Sequence, residues 1–483
     1  MKKQSISVNY ILNTAYQILT LLTPLITAPY ISRVLGAAGV GIYSYTSSVV
    51  AFFTMFAVLG TTSYGQRAIA QCRDDRKACS KTFWEIELLS VITTSVCIIA
   101  WFIFTAFSSE YKLYFMILTI DLASTALDVI WFYSGLERFS YIVLRNTAVR
   151  IVNIALLFLL VKTSADVWIY LAIIAVGKFE GNGSMWISLP KFIEKVSIRE
   201  LNIKPHFKET MAYFIPTAAA SIYTYLDKIM IGAFTTTSLE NGYYEQANKI
   251  VKIAYTILVS LNTVMSARMS YLFAHHKEQE IKRRLEQSFA FIVTLGVAFG
   301  FGLAGIADNF VPWFFGAGFD KVSTLLVLLA PLALIMGLHN FLSAQYLIPS
   351  GQRVRSTKGV ITGAVVNLTL NLLLIPRFQS IGAVIATLVA EISICAVYTY
   401  MSSEYVPVKL FFKYLPKQIL GASVMYGIIR FIGNGYSGSS LITCLQVVCG
   451  GASYFIILLL MNETFTKSMT KQVVGKALKK VGK

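Results

Sequence analysis

The chain has 483 residues, 56% of them hydrophobic and 14% charged, with a mean hydropathy of +0.64. A soluble chain carries about 25% charged residues, and few segments here offer the polar outer face that a large soluble all-α protein needs. The net charge of +18 is spread along the chain rather than gathered into one patch, which excludes it as a nucleic-acid signal.

Apolar runs of about 20 residues recur from end to end, each long enough to cross a hydrocarbon core of about 30 Å. Fourteen spans follow, at about 10–33, 40–60, 84–107, 113–134, 140–161, 166–188, 209–232, 243–264, 286–306, 322–345, 358–376, 381–401, 414–432 and 441–461. Lys2 and Lys3 before the first run superficially suggest a signal peptide. That run holds Asn13, Gln17, Pro24 and Pro29, with no small-residue cleavage site behind it, so it reads as span one.

Span one carries Asn9, Asn13, Tyr16, Thr20, Thr23 and Thr27 at helical spacing, and Arg33 closes it. In span four Asp121 and Asp128 are seven apart, which puts them on one face of a continuous helix. Arg150 lies near mid-depth of span five, on a face with Asn146 and Asn153, and Lys178 is central in span six. The stretch from Gly177 to Ser184 lacks the order of a phosphate-binding loop and follows no strand, so that reading is discarded. Span seven carries Thr210, Tyr213, Thr217, Ser221, Thr224 and Lys228 as a second polar stripe, with Asp227 about 100° round the helix from Lys228. A stripe on both helices predicts that both line one aqueous cavity. Snorkelling of Lys228 to the outer interface, with Asp227 as its pair, is the plainer alternative.

Glu245, Lys249 and Lys252 follow helical spacing in the outer half of span eight, where local pairing of Glu245 with Lys249 is the ordinary outcome. Gly296, Gly300 and Ala304 read as a small-residue packing seam. Glu391 is central in span twelve. His275 and His276 on an inner loop, and His339 within span ten, read as solvated or packed rather than as ligands. No Cys and His spacing suggests zinc, and Cys72 and Cys79 belong to an inner, reducing loop.

Lys and Arg placement tests the count, because cytoplasmic loops retain positive charge. With the N-terminus inside, the outer segments hold only Arg33, Lys112, Lys162, Lys321, Arg377 and Arg430 of the 42 basic residues. Both termini are therefore expected in the cytoplasm. A charge at mid-bilayer costs about 2.5–3.5 kcal/mol even on the lenient insertion scale. The several intramembrane charges together predict a water-filled, partly ion-paired interior.

The chain also repeats. Gly41-Ile42-Tyr43 is followed by Arg67, and Gly242-Tyr243-Tyr244 by Arg268, with the same spacing from tyrosine to arginine. Ser134-Gly135, Arg138 and Val152-Asn153 are matched in order by Ser350-Gly351, Arg353 and Val366-Asn367. Spans 1–6 and 7–12 read as two parallel copies of one unit, a transporter signature with the substrate site between the copies. The expected division is 1–188, a basic linker at 189–208, 209–401, and 402–483 with the last two spans and a basic cytoplasmic tail.

Asn9-Tyr10, then Pro24-Leu25-Ile26-Thr27-Ala28-Pro29-Tyr30-Ile31-Ser32-Arg33-Val34-Leu35-Gly36 and Gly39 to Tyr45, resemble the opening of Wzx-type polysaccharide flippases. Leu226-Asp227-Lys228-Ile229-Met230-Ile231-Gly232 and Tyr244 to Ile250 resemble the start of their second half. The family belongs to the multidrug/oligosaccharidyl-lipid/polysaccharide exporter superfamily. The resemblance implies an all-α polytopic membrane protein of about 14 transmembrane helices: two pseudo-symmetric six-helix lobes around a central cavity, plus two C-terminal helices. It implies translocation of undecaprenyl-diphosphate-linked repeat units to the outer leaflet of a bacterial cytoplasmic membrane by a monomer. Membrane lipids and other polysaccharide-assembly proteins are the further partners. No cofactor is implied, and coupling to a proton or sodium gradient is left open.

A diphosphate headgroup calls for Lys or Arg in a wet cavity. The candidates are Arg150, Lys178, Lys228, Lys249, Lys252 and Arg33, with Asn13, Thr217 and Thr224 as polar lining. Asp121, Asp128, Asp227, Glu245 and Glu391 are candidates for ion coupling or pairing. A membrane glycan polymerase would need a large catalytic outer loop, and the longest here runs only from about Asp308 to Lys321. A cation-coupled drug exporter of the same superfamily is the rival reading.

Overall fold

The computed structural model describes residues 6–436, 438–468 and 470–471; the side chains of 6–18, 21, 216, 220, 222, 223, 263 and 264 lie outside that description. Asn13 and Pro216 are therefore placed by backbone only. Asn9, Tyr16 and the end of the basic tail likewise lie outside the described residues or side chains.

Helices α1 (Ile6–Val58), α2 (Thr61–Cys72), α3 (Arg76–Phe107), α4 (Lys112–Ser124), α5 (Ile130–Gly135), α6 (Phe139–Leu160) and α7 (Val167–Ser188) are followed by α8 (Ile203–Phe234) and α9 (Leu239–Ala274). Then come α10 (Glu278–Phe315), α11 (Asp320–Leu329), α12 (Leu332–Leu342), α13 (Arg353–Met401), α14 (Lys409–Gly433) and α15 (Ser440–Leu460). No strand occurs among the described residues. Helix covers the expected spans apart from a break within span four, and this is an all-α multi-pass membrane protein. Nine helical stretches among the described residues are long and apolar enough to cross a membrane by length and composition.

Five spans depart from simple rods. Spans one and two form one helix, α1, bent at Gly36, whose φ of 66° only glycine adopts without strain. Spans eleven and twelve likewise merge into α13 across a bend at Gln379, after Pro376 has removed a backbone donor. Arg33 and Arg377 thus sit beside bends, not in open loops. Span four is broken: α4 ends at Ser124, a 3₁₀ turn covers Thr125–Leu127, and Asp128 is extended before α5.

The chain forms two compact units, Met1–Gly242 and Tyr243–Lys483. In unit 1, α1 is the central element and packs on α3, α4, α6, α7 and α8. At one end, Phe83, Trp131, Phe132 and Tyr133 form a buried aromatic core between α3 and α5. The same end carries a polar network: Tyr64 contacts His206 at 2.7 Å, His206 contacts Glu85 at 2.8 Å, and Arg67 donates to the Tyr213 hydroxyl at 2.8 Å. These bonds hold the start of α8 to α2 and α3. The repeated glycines Gly41 and Gly242 meet: a Cβ on Gly41 would strike the Ser238 carbonyl just before α9, and one on Gly242 the Ala37 carbonyl on α1.

In unit 2, α10 carries α11, α12, α14 and α15, and α14 also packs on α15. Its core runs through Leu285, Phe289, Phe341, Leu342 and Tyr454. Between α6 and α7, Asp166 closes the turn by accepting from the Lys162 and Thr163 backbone N–H groups at 2.8 and 2.7 Å. Those bonds hold its carboxyl below the usual carboxylate range.

Candidate functional site

Unit 1 contains a cavity of about 510 Å³ lined by α1, α6 and α7. Thr20, Thr23 and Thr27 face it from α1, so this half of the span-one stripe is a cavity wall. Thr23 and Thr27 donate to the carbonyls four residues back at 2.7 and 2.9 Å. Their donors are satisfied inside the helix, and hydroxyl lone pairs are left toward the cavity.

The opposite wall is cationic. Arg150, Asn146 and Asn153 line the cavity together from α6, and Lys178 lines it from α7. Lys178 reaches both carboxylate oxygens of buried Asp121, at 2.8 and 2.6 Å, while its own side chain stays 55% exposed. Asp121 thus anchors the ammonium and leaves it accessible. Asp128 does not share that face. The break in span four removes the continuous helix on which the seven-residue spacing rested, and Asp128 instead accepts from the Ile130 backbone N–H at 3.0 Å, opening α5.

Arg145 also lines the cavity, and the sequence reading missed it. Near the start of span five a basic residue reads as an inner-boundary charge. Its Nε donates to the Gly181 carbonyl at 2.7 Å, and its terminal nitrogens donate to the side-chain oxygens of Asn146 and Asn182. Asn182 in turn donates to the Ser124 carbonyl at 2.8 Å, and Trp186 to the Leu127 carbonyl at 3.0 Å. These are carbonyls at the break in span four. Exposed backbone at membrane depth persists only where side chains or water satisfy it, and α7 supplies those side chains.

Glycine makes the approach possible. A Cβ on Gly177 would fall on the Asn153 amide, and one on Gly181 would crowd Val149 and the Arg145 guanidinium. The glycine-rich stretch set aside as a phosphate loop is helix α7. Its glycines admit the polar side chains of α6 by lacking a side chain of their own. The available signal was a four-residue step in both helices: 145, 149, 153 against 177, 181.

The other expected residues lie elsewhere. On α8, Asp227 is buried and Lys228 half-buried, and the Lys228 carbonyl accepts from Asn241 Nδ2 at 2.8 Å. Thr217 is exposed and Thr224 half-buried, and neither belongs to this cavity; Arg33 is exposed on α1. In unit 2, Lys249 pairs with Glu245 at 3.6 Å, one helical turn away, and Lys252 is half-buried on the same helix. Glu391 is 1% exposed and approaches His339 Nε2 to 2.8 Å, though not along a hydrogen-bond direction. A further buried carboxylate, Glu87 on α3, has no hydrogen-bond partner among the described residues. Among those residues, no group of three His, Cys, Asp or Glu could hold a metal ion.

A family model described as "Polysaccharide biosynthesis protein" matches residues 6–273, more than half of the chain. The chain belongs to this family. The "Putative O-antigen transporter" of Escherichia coli (strain K12) is 24% identical over 381 residues, 77% of this chain and 90% of that protein. The "Probable low-salt glycan biosynthesis flippase Agl15" of Haloferax volcanii is 22% identical over 418 residues, 84% and 86% of the two chains. Among solved structures, "Lipid II flippase MurJ, inward closed conformation" superposes with a TM-score of 0.75 at 17% identity, covering 94% of this chain and 98% of that one. An inward-facing multidrug resistance MATE family transporter of the MOP superfamily gives 0.60 at 11% identity, covering 80% and 99%. At those identities the structures establish the fold that this member of the family shares.

Proposed function

We propose that this chain is a flippase that moves undecaprenyl-diphosphate-linked oligosaccharide repeat units from the cytoplasmic to the outer leaflet by alternating access. The product would serve capsule, O-antigen or exopolysaccharide assembly. One observation carries the reading: the unit 1 cavity gathers Arg145, Arg150 and Lys178 on one wall and threonine hydroxyls on the other. A diphosphate is recognised by such a set, because guanidinium groups give paired, charge-assisted hydrogen bonds and an ammonium adds a point charge. A volume of about 510 Å³ suits the diphosphate and its first sugar, not a whole repeat unit.

The names of the relatives, an O-antigen transporter and a glycan biosynthesis flippase, support the same substrate class. The proposal places the chain in a bacterial cytoplasmic membrane as a monomer with both termini inside. It assigns no catalytic residue and no cofactor, and leaves transport open to drive by a proton or sodium gradient. Glycan-assembly proteins of the same membrane would be its partners.

The test is reconstitution of the full chain in vesicles with a lipid-linked oligosaccharide confined to one leaflet. Accessibility of the glycan to an impermeant modifying reagent should appear on the opposite side only in protein-containing vesicles. Absence of that movement, together with ion-driven efflux of a small organic cation, would establish the drug-exporter reading instead.

A further inference from the structure

Unit 2 has a second large cavity, of about 580 Å³, at the end where α10 and α14 begin and α9 and α15 finish. One side is polar, with Arg283, Arg284, Gln287 and Ser288 from the first turns of α10; the other is apolar, with Leu261 and Met265 from α9, Phe291 from α10 and Phe465 beyond α15. The rings of Phe291 and Phe465 meet edge to face at 6.3 Å and make its apolar floor.

The charges around it do not cancel. Glu286, the acid in the lining, is taken up by Lys413 at 2.6 Å and the Tyr414 hydroxyl at 3.0 Å. Glu280 is held by Arg268 at 2.9 Å and reaches Arg284 only at 3.7 Å. Glu463 spends its carboxylate on the backbone N–H groups of Phe465 and Thr466. Arg268, Arg283, Arg284 and Lys413 thus face Glu280, Glu286 and Glu463, an excess of one positive charge. Arg283 is exposed and makes no ion pair among the described residues, and Arg284 keeps a buried Nε–H without an acceptor.

A free guanidinium, an unsatisfied buried donor and an adjoining apolar floor ask for a ligand with an anionic head and a hydrocarbon body. We propose that this cavity binds the phosphodiester headgroup of an anionic glycerophospholipid. Arg283 and Arg284 hold the phosphate, Gln287 and Ser288 reach the glycerol, and the acyl chains lie along Leu261, Met265 and Phe291. Basic pockets between membrane helices at the interface take such headgroups, and the phosphate is what the paired guanidinium fork matches. Inorganic phosphate shares the charge chemistry but leaves the floor uncovered. This site is separate from the unit 1 cavity and does not depend on the proposed transport.

The experiment is native mass spectrometry of the full-length protein titrated with phosphatidylglycerol, with phosphatidylcholine and with inorganic phosphate. Phosphatidylglycerol should be retained and phosphatidylcholine should not. The double change Arg283→Gln with Arg284→Gln should weaken phosphatidylglycerol binding about tenfold, as for loss of charge-assisted hydrogen bonds. Arg283→Gln alone, at an exposed position where substitution costs little stability, should weaken it about threefold. Lys282→Gln, one residue away and outside the lining, should leave it unchanged. Equal retention of the two lipids, unchanged binding in the Arg283 variant, or displacement by millimolar inorganic phosphate would each overturn the assignment.

Discussion

The repeat pairs span five with span eleven, yet the two units use that helix in opposite ways. In unit 1 the small residues are on the partner: Gly177 and Gly181 on α7 admit Asn153, Val149 and Arg145 from α6. In unit 2 the small residues are on span eleven itself: Gly359 takes the Tyr398 ring, and Gly363 takes Ile394. Aligning Val152-Asn153 on Val366-Asn367 sets Gly359 where unit 1 has Arg145 and Ala364 where it has Arg150. Asn367 is fully buried and accepts from Asn371 at 3.0 Å, while Asn153 lines the cavity. One inherited helix pair therefore yields a polar wall in one unit and a closed, largely apolar contact in the other. Exchanging which helix carries the glycines decides which side chains project.

Unit 2 also closes part of its interior polar set on itself. Asn262 donates to Asn340 at 2.7 Å, and Gln345 donates to Asn262 at 2.7 Å. The comparison predicts that charge changes in unit 1 alter transport, whereas volume changes in unit 2 alter stability.

The largest effect is expected at Arg150. Arg150→Ala should reduce transport of the lipid-linked oligosaccharide about a hundredfold, roughly 2.7 kcal/mol of lost binding to the charged head. Arg150→Lys should recover part of it, because lysine keeps the charge and loses the bidentate fork. The readout is initial transport rate at matched abundance in vesicles, and full activity of the alanine variant would remove Arg150 from the site.

Next comes Gly359→Ala. The added methyl group meets the ring of Tyr398, which is 1% exposed and fixed by the Ser356 carbonyl at 2.6 Å. A cost of about 1–3 kcal/mol is expected for overpacking at a rigid site, read as a lower thermal-unfolding midpoint in detergent. Gly181→Ala meets Val149 at 3.0 Å and the Arg145 guanidinium at 3.1 Å, both on the cavity wall, so it should lower transport more than it lowers stability. The reverse pattern in the two variants would break the comparison.

The smallest effect is expected at the Lys178–Asp121 pair. Lys178→Met leaves Asp121, 5% exposed, without its ammonium partner. Because Lys178 is more than half exposed, solvent already weakens the pair, and the loss should be about 1 kcal/mol. Adding Asp121→Asn should restore the unfolding midpoint but not transport. Recovery of transport as well would show that the pair only joins α4 to α7.

Much of the fold was legible from the residues. Twenty-residue apolar runs fix helices because every backbone group in a bilayer must bond within its own segment. The alternation of Lys and Arg gives the expected sidedness, with both termini inside. The Thr20, Thr23, Thr27 part of the span-one stripe and the Arg150, Asn146, Asn153 face could be read from period alone, since side-chain direction in a helix follows from spacing. The break in span four could not. Asp121 and Asp128 are compatible with a continuous helix, and it is tertiary contact, the Asn182 and Trp186 donors from α7, that satisfies the Ser124 and Leu127 carbonyls. The pairing of Lys178 with Asp121, the approach of His339 to Glu391 and the placing of Arg145 inside the cavity are likewise contacts between distant segments. A single sequence gives each helix its faces. Which face meets which, and whether a charge there is enclosed by a partner or opens on a cavity, depends on the volumes that neighbouring helices bring to the contact, and packing alone decides it.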